Sequence, residues 1–344
     1  MIRMKASRKI AYSLFVAGLC LASVSTTNAD VPVTPQLVLP KTADVRILDV
    51  SSATGTLPVG LVLDVLQVNG DRLHVGRGEL RRTDVVAMDE AVEFFTKEID
   101  RAPSPFAYVS RARALVQRGA DQEAVRNCEL ALALEPDYAP AYCQLGRALT
   151  SMRHYNRALE ALQRAVSLDG ESGIVYCTRA QTHQAMGNTA ASLADFDLAI
   201  EFDNQLVSAY FGRGSVRAGL GDDEGALSDF SIVIARHPTH YPAVNNRANI
   251  WSRSGKWQAA FDDYSAALKL AKRPELLMNR AHALRGLGRY AEAVVDCNEA
   301  IRLAPNLEAA YRQRAAILAE IGRQNEAELD LDQAAQLAAD GNRA

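Results

Sequence analysis

The chain has 344 residues, of which 48% are hydrophobic and 23% are charged. This composition excludes a wholly disordered chain, and the length allows a large core or a long array of repeats. The formal net charge is −3 at pH 7, so the chain lacks the strong positive charge expected of a general nucleic-acid binder. We therefore expect no nucleic-acid partner.

The N-terminus has the pattern of a secretory signal peptide, which we predict over residues 1–29. Basic residues precede an apolar run, and small residues follow it: Arg3, Lys5, Arg8 and Lys9, then residues 10–24, then Thr27-Asn28-Ala29. An uncleaved anchor is the alternative. Cleavage removes four positive charges and no negative ones, so the net charge falls from −3 to −7. We expect an exported protein, periplasmic or extracellular, with no stable membrane span after cleavage.

Residues 30–41 are predicted to be a linker, and residues 42–87 contain strand-like runs separated by turns. The runs 61–68 and 72–75 flank Asn69-Gly70, whose residue types favour a two-residue hairpin turn. With the runs 44–50 and 78–86, this segment resembles a bacterial SH3-like barrel, which implies a small β-barrel. The barrel is interpreted either as a structural cap or as a binder of peptidoglycan or a proline-rich peptide.

Helical periodicity begins at residue 88. Residues 88–104 form a predicted capping helix, with Ala91 and Phe95 at the spacing of half a repeat. After this helix one pattern recurs seven times: a large residue is followed four positions later by a small one. Successive copies are 34 residues apart, except for one step of 33 residues. The pairs are Tyr108 and Ala112, Tyr142 and Gly146, Tyr176 and Ala180, Tyr210 and Gly214, Val244 and Ala248, Leu277 and Ala281, and Tyr311 and Ala315. Short side chains let two helices approach closely, so each period predicts a helical hairpin.

This pattern resembles the tetratricopeptide repeat family, which implies a mainly α-helical solenoid preceded by the small barrel. The seven predicted repeats cover residues 105–138, 139–172, 173–206, 207–240, 241–273, 274–307 and 308–341. Core side chains are expected between the small positions of the second helices, at Cys128, Leu162, Phe196, Phe230, Tyr264, Cys297 and Leu331. The last helix is acidic, and we interpret it as self-capping or as a dimer contact; a monomer is favoured.

A charge pattern also recurs with the repeats. Arginine is followed 16 residues later by aspartate in five of them: Arg179 and Asp195, Arg213 and Asp229, Arg247 and Asp263, Arg280 and Asp296, and Arg314 and Asp330. The first repeat has Arg111 and Asn127, whereas the second has Leu145 and Ala161. Because both partners are lost together in the second repeat, we predict ion pairs that join the two helices of one repeat.

The family resemblance implies a concave groove lined by the first helices, and it places ligand contacts at the second, fifth, ninth, twelfth and thirteenth positions of each repeat. The predicted peptide-binding residues are Val109, Arg113, Arg147, Phe211, Asn245, Asn249, Arg253, Met278, Arg285 and Arg312. The residues at these ligand-contact positions carry a net positive charge, although the chain as a whole is acidic. It predicts an extended, acidic protein or peptide ligand, with apolar anchors near the first four repeats and carboxylates near the last three.

No pattern for catalysis, cofactor or metal binding stands out. His237 and His240 lie in a turn without a third ligand at metal-site spacing. Cys128 and Cys143 fall on adjacent predicted helices, so they either form a disulfide or remain buried thiols. We expect a non-enzymatic interaction scaffold that uses no cofactor. The alternatives are a cell-envelope protein that binds peptidoglycan through the SH3-like segment, and an accessory subunit of an envelope enzyme.

Overall fold

A computed structural model describes residues 36–40, 63–69, 72–75, 78–81, 85–87 and 89–341. The chain divides into two compact units, Met1–Val216 and Arg217–Ala344, which are treated separately below as unit 1 and unit 2. The predicted signal peptide and the predicted strand at 44–50 lie outside the described residues.

Unit 1 begins with a five-stranded antiparallel sheet of order β4-β3-β2-β1-β5. Its strands are β1 (Gln36–Pro40), β2 (Leu63–Asn69), β3 (Arg72–Val75), β4 (Gly78–Arg81) and β5 (Val85–Ala87). The register of β2 and β3 pairs Asn69 with Arg72 and Val68 with Leu73, which confirms the predicted hairpin. The SH3-like barrel itself stays a prediction.

Strand β1 corrects the predicted domain boundary. Residues 30–41 were predicted to be a linker, and their prolines Pro32, Pro35 and Pro40 are unfavourable inside a strand. In the structure β1 pairs with β2 on one side and with β5 on the other. Proline is tolerated at the end of a strand, where fewer ladder hydrogen bonds are needed, and Pro40 is the last residue of β1.

Fifteen helices follow in the described residues. They are α1 (Ala91–Arg101), α2 (Pro105–Gln117), α3 (Asp121–Leu134), α4 (Ala139–Ser151), α5 (Tyr155–Leu168), α6 (Gly173–Ala185), α7 (Thr189–Phe202), α8 (Val207–Leu220), α9 (Asp223–Arg236), α10 (Tyr241–Arg253), α11 (Trp257–Leu270), α12 (Pro274–Gly286), α13 (Tyr290–Leu303), α14 (Glu308–Glu320) and α15 (Gln324–Gly341). Helix α1 lies in the predicted capping segment and packs against α2, with Phe95 fully buried. The rest form helical pairs, and α8 crosses the division between the units.

The small residues allow the close helix contacts that the sequence predicts. A methyl group placed on Gly146 would lie 2.5 Å from Cγ of Leu162, in the second helix of the same repeat. At Gly212 it would lie 2.2 Å from the Phe196 ring, in the preceding repeat. Leu162 and Phe196 are fully buried, as predicted, but Leu331 is 48% exposed. Leu331 differs because it faces the end of the described array, where no further first helix covers it.

Each turn between the two helices of a repeat contains one residue in the left-handed region. Six of these residues are glycines with φ between 71° and 82°: Gly119, Gly187, Gly221, Gly255, Gly288 and Gly322. The second repeat instead has Arg153, with φ of 61°. Glycine adopts this conformation without the steric cost of a Cβ atom, so Arg153 is the strained member of the series.

The predicted arginine–aspartate pairs are confirmed within the units. In unit 1, Arg179 Nε and Nη2 donate to Asp195 Oδ2 and Oδ1 at 2.8 and 2.7 Å. In unit 2, equivalent paired bonds of 2.6 to 2.8 Å join Arg247 to Asp263, Arg280 to Asp296 and Arg314 to Asp330. Arg111 Nε donates to Asn127 Oδ1 at 2.7 Å. The predicted partners Arg213 and Asp229 belong to different units, and their pairing stays a prediction.

The same arginines also bond to the preceding helical pair, and these contacts were not predicted from the sequence. Nη1 of Arg179 donates to Gln163 at 2.9 Å, and Nη1 of Arg314 donates to Asn298 at 2.6 Å. The acceptor lies 16 residues before each of these arginines, just as the aspartate lies 16 residues after it. Each guanidinium group therefore joins the helices of its own repeat and links that repeat to the preceding one.

Candidate binding site

The predicted ligand-binding residues lie on first helices that run side by side. In unit 1, α4 contacts both α2 and α6, and in unit 2, α12 contacts both α10 and α14. We call these two sets of helices the first-helix row of each unit. The predicted residues are placed differently in the two rows.

In unit 1 much of the predicted surface is part of the core. Val109 is 1% exposed and Arg113 is 6% exposed, whereas Arg147 and Phe211 are half-buried. Val85 of β5 shares one hydrophobic cluster with Cys143 and Cys177, which occupy the predicted fifth positions of the second and third repeats. Side chains that the resemblance assigned to ligand contact thus pack against the chain itself in this row.

Arg113 and Arg147 lie close enough for their charges to interact. Burial holds the pKa of Arg113 well below its usual range, and the positive charge of Arg147 lowers it further. Burial also lowers the pKa of Arg147, whose Nη2 donates to Thr178 Oγ1 at 3.3 Å. These arginines therefore sit in a desolvated environment, unlike the exposed cations that the charge count implied.

In unit 2 three of the predicted residues line one pocket. The pocket has a volume of about 310 Å³ and is lined by Asn249, Ser252, Arg253, Tyr264, Met278, Asn279, His282 and Gln313. Asn249, Arg253 and Met278 were predicted from their repeat positions. Tyr264 comes from the second helix α11 and was expected only as a core residue. The other four were not among the predicted site residues.

Hydrogen bonds fix the polar groups around this pocket. The Tyr264 hydroxyl donates to Asn249 Oδ1 at 2.6 Å. Asn279 Nδ2 donates to Asn245 Oδ1 at 3.1 Å, and Gln313 Nε2 donates to the backbone oxygen of Met278 at 2.7 Å. The last two bonds join side-by-side first helices, so the pocket is held between neighbouring repeats. The polar side chains of Asn245, Asn279 and Gln313 follow one another at steps of 34 residues, and this repetition on first helices was visible in the sequence.

The arginines predicted to attract carboxylates in unit 2 already have acidic partners. Arg253 bonds to Asp223 through Nε and Nη2, and Arg285 bonds to both carboxylate oxygens of Glu320. The Glu320 bond raises the pKa of Arg285. Arg312 is paired with Glu308 four residues earlier. The positive charge expected along the last three repeats is therefore locally balanced, because acids from neighbouring helices face Arg253 and Arg285 and an acid of the same helix faces Arg312.

The histidines and cysteines were the other candidates for chemistry in the sequence. Among the described residues there is no group of three or more His, Cys, Asp or Glu side chains that could hold a metal ion. The buried His240 accepts a hydrogen bond from the backbone N–H of Ala243 at 3.2 Å, which caps the start of α10. Cys128 and Cys143 are buried free thiols, so the disulfide alternative is wrong. None of the described helices has the length and apolar character of a membrane span.

These features define the class of the protein: tandem helical hairpins whose first helices form a row that is accessible in unit 2. Residues 139–172, 174–206 and 274–307 match family profiles of the tetratricopeptide repeat, and the chain therefore carries tetratricopeptide repeats. A search of curated protein sequences found no match.

Solved structures support the same fold. The crystal structure of the anaphase-promoting complex hetero-tetramer Cut9–Hcn1 matches with a TM-score of 0.59 and 14% identity, covering 67% of this chain and 46% of that one. The chain thus spans about half the length of that relative. PilF of Pseudomonas aeruginosa matches with a TM-score of 0.55 and 15% identity over 68% of this chain and 99% of that one. At these identities the similarity extends to the fold alone.

Proposed function

We propose that this protein is a non-enzymatic scaffold that binds an extended protein or peptide segment along its first-helix row. The observation that carries the proposal is the preformed pocket of unit 2, which lies at repeat positions predicted to contact a ligand. Helices held by interhelical hydrogen bonds need little reordering when a partner binds, and this lowers the entropic cost on the protein side. The burial of Val109 and Arg113 moves the proposed contact away from the first repeats and towards unit 2.

Capture of partners from an extract of the source cells tests this proposal. The bait is the full chain, compared with a double variant in which Asn245→Glu and Met278→Glu place charge beside the pocket. Asn325→Glu, on the exposed side of α15, provides the control. We expect partners that bind the wild type and the control but not the double variant. An unchanged partner set with a folded double variant would move binding to another surface.

We further propose that the chain is exported, on the basis of the basic and apolar pattern of residues 1–29. Determination of the N-terminal residue of the protein isolated from its host tests this directly. We expect a mature chain that begins at Asp30, whereas an intact N-terminus would contradict signal cleavage.

We propose as a second candidate function that the N-terminal segment binds peptidoglycan, on the basis of its resemblance to SH3-like barrels; the antiparallel sheet is compatible with that resemblance. Sedimentation of the full chain with purified cell wall, compared with a chain lacking residues 30–87, tests this candidate. Pelleting that depends on residues 30–87 would support it, and equal pelleting of both chains would exclude it.

A further inference from the structure

The pocket of unit 2 also has a chemistry that indicates its ligand class. We infer that it binds a neutral carboxamide group, either a main-chain peptide group or the side chain of asparagine or glutamine. This inference rests on the proposed function, because it assigns the chemistry of one contact within the proposed binding row. It replaces the acidic ligand that the sequence predicted for the last three repeats.

Charge is the first argument for a neutral ligand. The lining contains no carboxylate, and its only arginine is Arg253. Arg253 is already bonded to Asp223, and its Nη2 also donates to the backbone oxygen of Ala218 at 3.2 Å. A carboxylate entering this pocket would lose its hydration and would have to compete with Asp223 for the one guanidinium group.

Hydrogen-bonding capacity is the second argument. The bonds described above use N–H groups of Asn279 and Gln313, so in the described part of the chain Asn279 Oδ1 and Gln313 Oε1 remain available as acceptors. Asn249 uses its Oδ1 to accept from Tyr264, so its Nδ2 remains available as a donor. A carboxylate has no N–H for the two acceptors, whereas a carboxamide has both a donor and an acceptor.

The Tyr264 hydroxyl group fixes the orientation of the Asn249 side-chain amide. It is almost fully buried, and burial raises its pKa to about 12, while a hydrogen bond with Ser252 acts in the opposite direction. The hydroxyl thus stays protonated near neutral pH and continues to donate to Asn249. The half-buried Met278 and the His282 ring, which contacts the Trp257 ring edge to face with centroids 5.5 Å apart, add apolar surface for the carbon atoms of a ligand.

The test uses three capped hexapeptides: one with two central glutamines, one with two central glutamates, and hexaglycine. Binding to the full chain is followed by NMR through the side-chain amide signals of Asn249, Asn279 and Gln313. Recognition of a side-chain carboxamide predicts that the glutamine peptide binds at least about tenfold more tightly than both the glutamate peptide and hexaglycine, because neither of these supplies a side-chain N–H to the acceptors. Equal binding of all three peptides assigns recognition to the main chain, which they share.

Variants of the lining residues test whether the peptides bind in this pocket. Asn279→Leu and Gln313→Leu should each weaken binding of the glutamine peptide by about five- to tenfold, whereas Asn325→Leu should leave it unchanged. Tighter binding of the glutamate peptide, unchanged affinity in both pocket variants, or no signal change with any peptide at millimolar concentration would overturn the inference. The partner-capture experiment separates the two proposals. If the Asn245→Glu and Met278→Glu double variant loses its partners but the wild type prefers the glutamate peptide, the scaffold function is supported and the carboxamide specificity is contradicted.

Discussion

The Arg280–Asp296 pair provides the sharpest test of what holds the repeats together. Two bonds of 2.8 and 2.7 Å join the guanidinium to the carboxylate, and the side chains are 26% and 6% exposed. Arg280 Nη1 also lies 3.4 Å from Ser265 Oγ in α11. Removing Asp296 would leave a largely buried positive charge without its carboxylate.

We expect Asp296→Ala to reduce the free energy of unfolding by about 2–3 kcal/mol, below the full cost for a completely buried pair because Arg280 is partly exposed. Replacing both residues by leucine should cost only about 1 kcal/mol, because no unpaired charge remains. The second repeat has this apolar solution, with Leu145 and Ala161 at the equivalent positions. The loss of unfolding free energy for Asp296→Asn should lie between these two values, because asparagine can still accept a hydrogen bond from arginine, as Asn127 does from Arg111 in the first repeat.

Urea unfolding followed by circular dichroism at 222 nm measures these differences, with midpoints compared under identical conditions. Glu292→Ala is the matched control, because Glu292 lies on the same helix α13, its side chain is 57% exposed, and it bonds to Arg289 on the surface. Its midpoint should stay close to that of the wild type, since exposed ion pairs contribute little. Equal midpoints for Asp296→Ala and the double leucine variant would refute the argument that an unpaired buried charge causes the loss.

Two further predictions concern the left-handed turn residue and the buried tyrosine. Arg153→Gly should stabilise the chain by about 1 kcal/mol in urea unfolding, and Gly187→Ala should destabilise it by a similar amount, because only the second repeat has a Cβ atom in this conformation. Destabilisation by Arg153→Gly, or stabilisation by Gly187→Ala, would contradict the assignment of strain. Tyr264 has a folded-state pKa of about 12, above the unfolded value of about 10, so its contribution to stability is fully present below pH 10 and is lost as pH rises towards 12. The difference in the free energy of unfolding between the wild type and Tyr264→Phe, measured by urea unfolding, should therefore decrease between pH 10 and pH 12. A constant difference would show that Tyr264 ionises equally in the folded and unfolded states.

Much of the repeat architecture follows from one-dimensional spacing. The regular placement of residues such as Ala180 and Ala248 sets which face of each helix is buried, and both side chains are fully buried in the structure. The 16-residue spacing between Arg179 and Asp195 puts both on facing helices of one repeat, so their pairing could be predicted. Spacing is sufficient here because both partners belong to the same hairpin and repeat with the same period.

The turn conformation and the second arginine contact were harder to predict. Arg153 interrupts a series of glycines that follows the repeat period, and only its backbone angle shows that it adopts the same left-handed conformation as those glycines. The acceptors on the preceding helical pair differ in type, from Gln163 to Asn298, and no residue type marks them in the sequence. Many side chains can accept a hydrogen bond from arginine, whereas few carry the opposite charge.

The candidate site combines predicted positions with contacts that the sequence did not indicate. Asn249, Arg253 and Met278 were chosen by repeat position and line one pocket, because residues at fixed offsets on side-by-side helices face the same way. The charge count failed because Arg253 and Asp223 lie 30 residues apart, on a first helix and on the second helix before it. A row of cations attracts an anionic ligand only where the chain has not already supplied the anions. In unit 2 it has supplied them, and the polar groups that line the proposed pocket are mainly amides and the Tyr264 hydroxyl.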